Sequence, residues 1–376
     1  MIINSRAGRF FAHTALMAAL FMGSGCSLMH EDLPECAVKQ NIHAQAAFIF
    51  DYNTSVTDLF DSQVGAVTLY IFDSQGRLVS QTEATNHSIS SKSETRTSAL
   101  NINLDTNLLT EGETYSCYAV GHEHPGDYAS LLNTPGAHFL RPAVTPGQHS
   151  LIDFYMKLER DENLLVNHSG TKPLHYWATL RRVELTIPAV KEPEEGEAQQ
   201  SDVELNIEVP LIKITNELTV TFSLPDFPEA LNPADFDIYI EDTDGGAHLD
   251  MLGNSLGDNT LRYTPYQVLL NTPAPGSAED PTVSARFGIS RLFGGGSMRL
   301  VVYDRERDRT TIIPNLPALL AKGREAYPSY NWSTQEYLDR QDKHDINFEL
   351  GYPVPRWVSV NIDILSWRKR VQLTDL

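Results

Sequence analysis

Cys26 carries the most specific chemistry in the sequence. Arg6 and Arg9 give a positive start, with no acid before Glu31. Phe10 to Met22 is a mostly apolar run of 13 residues. That length suits a secretory signal peptide and falls well short of the roughly 20 residues that span a bilayer. Gly23, Ser24 and Gly25 follow, then Cys26. Small residues ending in Cys are where a bacterial lipoprotein precursor is cut and the new first residue acylated. Gly23 stands where Leu is usual, with Met22 one step further out. The competing reading is plain secretion with cleavage near Gly25. We expect residues 1–25 to be a signal peptide and Cys26 to be the lipidated first residue of the mature chain. A diacylglycerol plus an amide-linked chain holds a protein firmly, whereas one short chain binds a membrane reversibly.

Two further cysteines, Cys36 and Cys117, remain. An exported protein meets an oxidising compartment, where an even pair tends to bond. Cys36 precedes the first expected strand and Cys117 lies inside one. A Cys36–Cys117 disulfide would staple the leader to the first sandwich; two separate buried thiols are the alternative. Three cysteines in all are too few for a disulfide scaffold or a cysteine-rich zinc module.

Other reactive patterns are thin. No G-x-S-x-G elbow, P-loop, G-x-G-x-x-G or H-E-x-x-H is present. His122-Glu123-His124 places two imidazoles on one face of a strand, but spacing supplies no third and fourth ligand for zinc. It reads as a polar loop ending at Pro125. Asp242-Thr243-Asp244-Gly245-Gly246 matches the start of a calcium loop. Its sixth position is Ala247 and its twelfth Gly253, where Gly and a bidentate Glu are needed, so a turn between strands is expected. Phe293-Gly294-Gly295-Gly296 has no phosphate-binding Lys and reads as a turn. Arg368-Lys369-Arg370 can touch anionic head groups or simply end a strand in solvent. No spacing selects a carboxylate pair. We therefore name no catalytic residue, no metal ligand and no cofactor.

Composition bounds the partners. The 376 residues suggest two domains. With 41% hydrophobic and 21% charged residues, a packed core is expected rather than disorder. Lys and Arg number 29 against 49 Asp and Glu, a net charge of -20. A nucleic-acid partner is excluded on that balance, because phosphate neutralisation needs a basic face. No segment beyond the signal is long and apolar enough for a transmembrane helix, so the body should hang from its first residue.

Past residue 40 the pattern has period 2. Ala47–Tyr52, Ala66–Phe72, Leu78–Thr82, Thr114–Val120, Leu151–Leu158 and Ala178–Ile187 read as strands rich in β-branched and aromatic residues. Asp73-Ser74-Gln75-Gly76 is a hairpin turn, with Asp and Gly suited to its dihedrals. Later strands are expected at Val203–Val209, Leu218–Leu224, Phe236–Glu241, Thr282–Ile289, Met298–Tyr303, Asp345–Leu350 and Val358–Leu365. Short helices are expected at Pro317–Ala326 and Thr334–Arg340, both peripheral. Many short strands without alternating helices predict an all-β chain of antiparallel sandwiches. Lys191–Asp202, acidic and without large apolar residues, cannot bury itself. It is a long loop or linker, and we place a boundary near 206, giving domains 26–205 and 206–376.

The leader CSLMHEDLPEC at 26–36 and the phrase FIFDYN…VGAVTLYIFDSQGRLV at 48–79 are similar to those of the FimB-type fimbrial anchoring lipoproteins of Bacteroidales. So are Arg291-Leu292-Phe293, Gln335-Glu336-Tyr337-Leu338-Asp339-Arg340 and a last strand with Trp367. The resemblance spans nearly the whole mature chain. Departures are Gly23, Ser27 where an acid is common, and the acidic insert at 191–202. The resemblance implies two transthyretin-like antiparallel β-sandwich domains and no enzymatic activity. It also implies outer-membrane lipid anchoring at the cell surface through an acylated N-terminus, with fimbrial shaft subunits as partners and an influence on fimbrial length.

Two other functions compete. One is a surface lipoprotein binding glycans or host ligands, with Tyr327, Tyr330 and Trp332 as stacking aromatics. The other is a fimbrial shaft or tip subunit.

Overall fold

Ala66–Phe72 (AVTLYIF) lacks the polar positions of a half-exposed strand. A computed structural model shows why: every residue of this strand is buried. The structure describes residues 41–86, 100–189, 202–226, 228, 231–243, 246–352, 354–355, 357–362 and 367–371. Successive side chains of a strand point to opposite faces. Val67, Leu69 and Ile71 enter one core with Phe48, Ile102 and Val209. Tyr70 and Phe72 enter a second core with Phe154 and Met156. A strand covered on both faces reads as a continuous apolar run.

The first sheet runs from Leu78–Thr85 through Ala66–Phe72, Thr114–His122, Tyr176–Thr179 and Val203–Lys213 to Ile42–Ile49 and Asn101–Leu104. Val183–Thr186 joins it beside Thr114–Cys117. Val203–Lys213 serves two partners. Its beginning runs parallel to Ile42–Ile49, and Leu211–Lys213 pairs with Trp177–Thr179.

The second sandwich has a six-stranded sheet ordered Gln267–Asn271, Thr282–Ser290, Thr215–Ser223, Lys343–Glu349, Trp357–Ile362 and Trp367–Val371. A five-stranded sheet shares its core and is ordered Arg309–Ile313, Arg299–Asp304, Phe236–Asp242, Leu261–Tyr263 and Leu165–Val166. Phe222 meets Phe236 edge-on at 5.1 Å and stacks on Phe348 at 5.5 Å, which joins the two sheets. Among the described residues, pairing is antiparallel except where Ile42–Ile49 meets Val203–Pro210, Thr215–Ser223 meets Lys343–Glu349, and Leu165–Val166 meets Arg262–Tyr263.

The chain passes from the first sheet to the second at Ile214. Lys213 still pairs in the first sheet and Thr215 already pairs in the second. The two also share material. Phe139–Leu140 and Met156–Leu158 form a small sheet with His248–Leu249, and Leu165–Val166 completes the five-stranded sheet. Arg160 reaches across to pair with Asp258. Gln40–Leu376 accordingly forms one compact unit.

Several expected elements differ in detail. Leu151–Leu158 is not one strand. Ser150 and Asp153 form a reciprocal cap that turns Leu151–Asp153 into a short 3-10 helix before Met156–Leu158. Ile152 is 92% exposed as a result. Ala178–Ile187 divides into Tyr176–Thr179 and Val183–Thr186: the first pairs with the His122 end of Thr114–His122 and with Val203–Lys213, the second with the Thr114 end. Val358–Leu365 is not the last strand: Trp357–Ile362 is followed by Trp367–Val371, and Trp367 pairs with Ile362 in the sheet. The helix at Thr334–Arg340 keeps its expected bounds, capped by Ser333, whose side chain accepts from the Glu336 N–H at 3.1 Å. The other becomes a helix at Leu316–Leu320 continued by a 3-10 helix at Ala321–Ala326. Both lie outside the sheets, with Leu316, Leu319, Tyr337 and Leu338 packed into the core.

Candidate functional site

The strongest polar constellation lies in the second sandwich and fixes the helix that reaches the first. Arg291 follows the strand Thr282–Ser290, and Asp339 lies on the helix Thr334–Arg340. The guanidinium and carboxylate meet in a fork, Nε to Oδ1 at 2.7 Å and Nη2 to Oδ2 at 2.8 Å. Both side chains are nearly fully buried. Arg291 Nη1 also donates to the Gly253 carbonyl at 2.7 Å. A side chain at Gly253 would put Cβ 2.9 Å from Ile214 Cγ2, and its φ of +70° favours glycine in any case. Gln335 completes the joint. Its amide donates to the Leu292 carbonyl and to Asp339 Oδ1, both at 2.9 Å, and accepts from Gly294 N–H at 2.9 Å.

The next residue on the helix reaches the other sandwich. Arg340 sits 4.0 Å above the Tyr52 ring and donates to the Asn53 carbonyl at 3.3 Å. Asn53 fixes the loop that leaves the strand Ile42–Ile49. Its amide nitrogen donates to the Phe50 carbonyl at 3.0 Å and the Thr57 carbonyl at 2.7 Å. Tyr52-Asn53, Arg291-Leu292-Phe293 and Gln335–Arg340 are far apart in sequence and meet here. Arg340 also lies 5.2 Å from the Trp332 ring.

A cleft of about 260 Å³ opens beside this joint. Lys172, Lys213 and Asp342 on its walls are paired. Lys213 donates to Gln63 Oε1 at 2.8 Å, pairs with Asp342, and lies 5.2 Å from the Trp177 ring. Burial opposes ionisation of Glu217, but hydrogen bonds from His175 at 2.9 Å and Lys172 at 2.7 Å outweigh it and hold the carboxyl at about 2. Burial also opposes ionisation of Asp342, and Lys213 overcomes it, holding that carboxyl below its usual range. Such a network ties segments together.

The other sequence candidates take structural places. Burial, with Arg141 and His124 nearby, pushes His122 down to about 3. It is thus a neutral core imidazole, its ring 6.3 Å from that of His124. Asp242 is fully buried and accepts from the Tyr263 hydroxyl at 3.0 Å. Phe293–Gly296 is a turn closed by Gly296 N–H on the Phe293 carbonyl. Tyr327 and Trp332 are packed 5.0 Å apart and buried, leaving Tyr330 as the exposed ring of the three. Arg368-Lys369-Arg370 lies on the strand Trp367–Val371, opposite Asn361, Val360 and Ser359. Asp73 holds its hairpin by accepting from the Gln75 and Arg77 N–H groups, both at 2.9 Å.

Cys26 and Cys36 lie outside the described residues, as do the signal segment and 191–201. Cys117 is fully buried at the centre of Thr114–His122, and burial pushes its thiol up to about 12. Any bridge to Cys36 has to form before the first sandwich closes over that sulfur. Maleimide labelling of denatured, unreduced protein decides it. We propose the bridge and expect an unlabelled Cys117 peptide that labels after reduction; label taken up without reductant makes Cys117 a buried core thiol.

One feature gave little signal in the sequence. Gln267–Asn271 (QVLLN) forms the outermost strand of the six-stranded sheet, and Val268, Leu269 and Leu270 are 37%, 38% and 45% exposed. Its available marks were the flanking Thr264-Pro265 and Thr272-Pro273 turns.

A family model described as Mfa2, the fimbrillin-A associated anchor proteins Mfa1 and Mfa2, matches residues 33–372. A candidate polysaccharide-binding protein from Bacteroides thetaiotaomicron superposes with a TM-score of 0.66 at 21% identity, covering 89% of this chain and 100% of that one. A candidate adhesin from Bacteroides ovatus gives 0.63 at 20%, covering 93% and 99%. The fimbrial anchor protein Mfa2 from Porphyromonas gingivalis gives 0.56 at 17%, covering 87% and 98%. No curated protein matches the chain.

Proposed function

The chain belongs to the Mfa2 family of fimbrillin-A associated anchor proteins, and from that membership we propose that it is a non-catalytic lipoprotein anchoring a surface fimbria to the outer membrane. The observation that carries this is the match over residues 33–372, which begins just downstream of the lipidation signal ending at Cys26. Lipid on Cys26 holds one end. The sandwich body presents sheet edges to the shaft subunits and influences the length to which the shaft grows. The polar groups at the joint are consumed in holding the sandwiches together, which suits a part that bears load. Packing of Tyr327 and Trp332 weakens the competing glycan reading, since only Tyr330 offers an open ring.

Membrane fractionation of cells carrying Cys26→Ala tests the anchor. The variant should leave the membrane fraction or stall as an unprocessed precursor, and the wild-type N-terminal peptide should carry lipid mass. Full membrane retention without that lipid rejects the lipid anchor. Affinity capture of the intact wild-type protein from membranes should bring fimbrial subunits with it.

A further inference from the structure

We propose that the outer edge of the strand Gln267–Asn271 accepts an extended apolar segment of a fimbrial shaft subunit, an inference that rests on the anchor reading above. Natural sheets guard their edges with charges, prolines or bulges, because an open edge invites pairing. The edge strand Arg309–Ile313 begins with a charge, and Leu78–Thr85 carries exposed Gln81, Thr82 and Glu83. Gln267–Asn271 has neither charge nor proline. Its inner side pairs with Thr282–Arg286. On its outer side no strand follows among the described residues.

The register sharpens the point. Val268 lies opposite Ala285 and Leu270 opposite Val283, and both partners are fully buried in the second core. Cross-strand partners share a face. Val268 and Leu270 are thus on the core face of the sheet, at a margin where they stay uncovered. A strand laid along this edge would satisfy main-chain groups and cover both side chains at once, with alternate residues setting the register.

A second copy of the chain fits this edge poorly. A net charge of -20 sets two copies against each other. A fimbrial subunit is the partner class the family description supplies. The described chain enters through the first sandwich at Ile42–Ile49, whereas this edge belongs to the second.

The test places a photo-crosslinking amino acid at Leu269, or at Thr310 on the guarded edge, in the full chain within its own cells. Intact fimbriae are then isolated. We expect an adduct at 269 that mass spectrometry identifies as a fimbrial subunit, and none at 310. Leu269→Lys should cut the fimbriae captured by about tenfold and leave the melting temperature unchanged, since Leu269 is partly exposed. Fimbriae that co-purify without any adduct at 269, or with unchanged capture by Leu269→Lys, overturn the edge proposal while the anchor reading stands. An adduct to a second copy overturns it in favour of self-pairing. Failure of fimbriae to co-purify at all overturns the anchor reading, and the edge proposal with it.

Discussion

A fragment starting at residue 206, expressed alone, should show no cooperative unfolding transition. It would lack Met156–Leu158, the partner of His248–Leu249, and Leu165–Val166, the partner of Arg262–Tyr263. It would also lack Phe139, Phe154, Met156, Leu158 and Val166, which pack in one core with Leu249, Tyr263 and Val302. Burying a large apolar side chain contributes roughly 1.5–3 kcal/mol. Losing five such contributions rivals the 5–15 kcal/mol or so that typically separates folded from unfolded states. Asp258 would also lose Arg160 and Lys157. Thermal unfolding followed by near-ultraviolet circular dichroism reads the outcome. Co-expression with residues 41–205 should restore a soluble complex that melts near the full-length protein. A cooperative, near-native transition from the fragment alone would show that the shared strands are dispensable and that the second sandwich is self-sufficient.

That interlock marks the limit of what period and composition reveal. Alternation showed the strands and their turns: Ala66–Phe72 and the Asp73–Gly76 turn stand where the residues put them. A short strand such as Leu165–Val166 has too few residues to show a period, and its partners Arg262–Tyr263 stand almost a hundred positions away. The handover was hidden for another reason. Val203–Lys213 and Thr215–Ser223 form one long alternating stretch, and nothing local says that the sheet changes at Ile214. The helix Thr334–Arg340 was legible because Ser333 and Glu336 state its beginning in the sequence. The joint was visible only as separate phrases. Arg291-Leu292-Phe293 and Gln335–Arg340 stood out through family likeness, while their meeting with Tyr52-Asn53 depends on the fold. Likeness marked the residues; their common purpose needed distances. The open edge at Gln267–Asn271 lay hidden for a related reason, since exposure of an apolar strand is decided by what fails to cover it.

Asp339→Ala should be among the most damaging single substitutions in the protein. It removes both oxygens of the fork and leaves the Arg291 guanidinium buried, with carbonyl acceptors as its remaining partners at Gly253 and Leu252. Breaking a buried pair on one side costs about 3–5 kcal/mol, because the surviving charge is uncompensated. Gln335 would lose an acceptor at the same time. A drop in melting temperature on the order of 10 °C follows for a chain of this size. Arg291→Met combined with Asp339→Leu should recover much of that loss, because an apolar pair removes the desolvation cost along with the attraction. The double variant separates two roles for the fork. If stability returns and fimbrial capture returns with it, the pair serves only to hold the helix Thr334–Arg340 on the second sandwich. If stability returns while capture stays low, the exact geometry of the joint matters to the shaft. A single Asp339→Ala variant that melts within a degree or so of wild type would remove the fork from the account. Arg340 on Tyr52 would then be the contact through which this helix joins the two sandwiches.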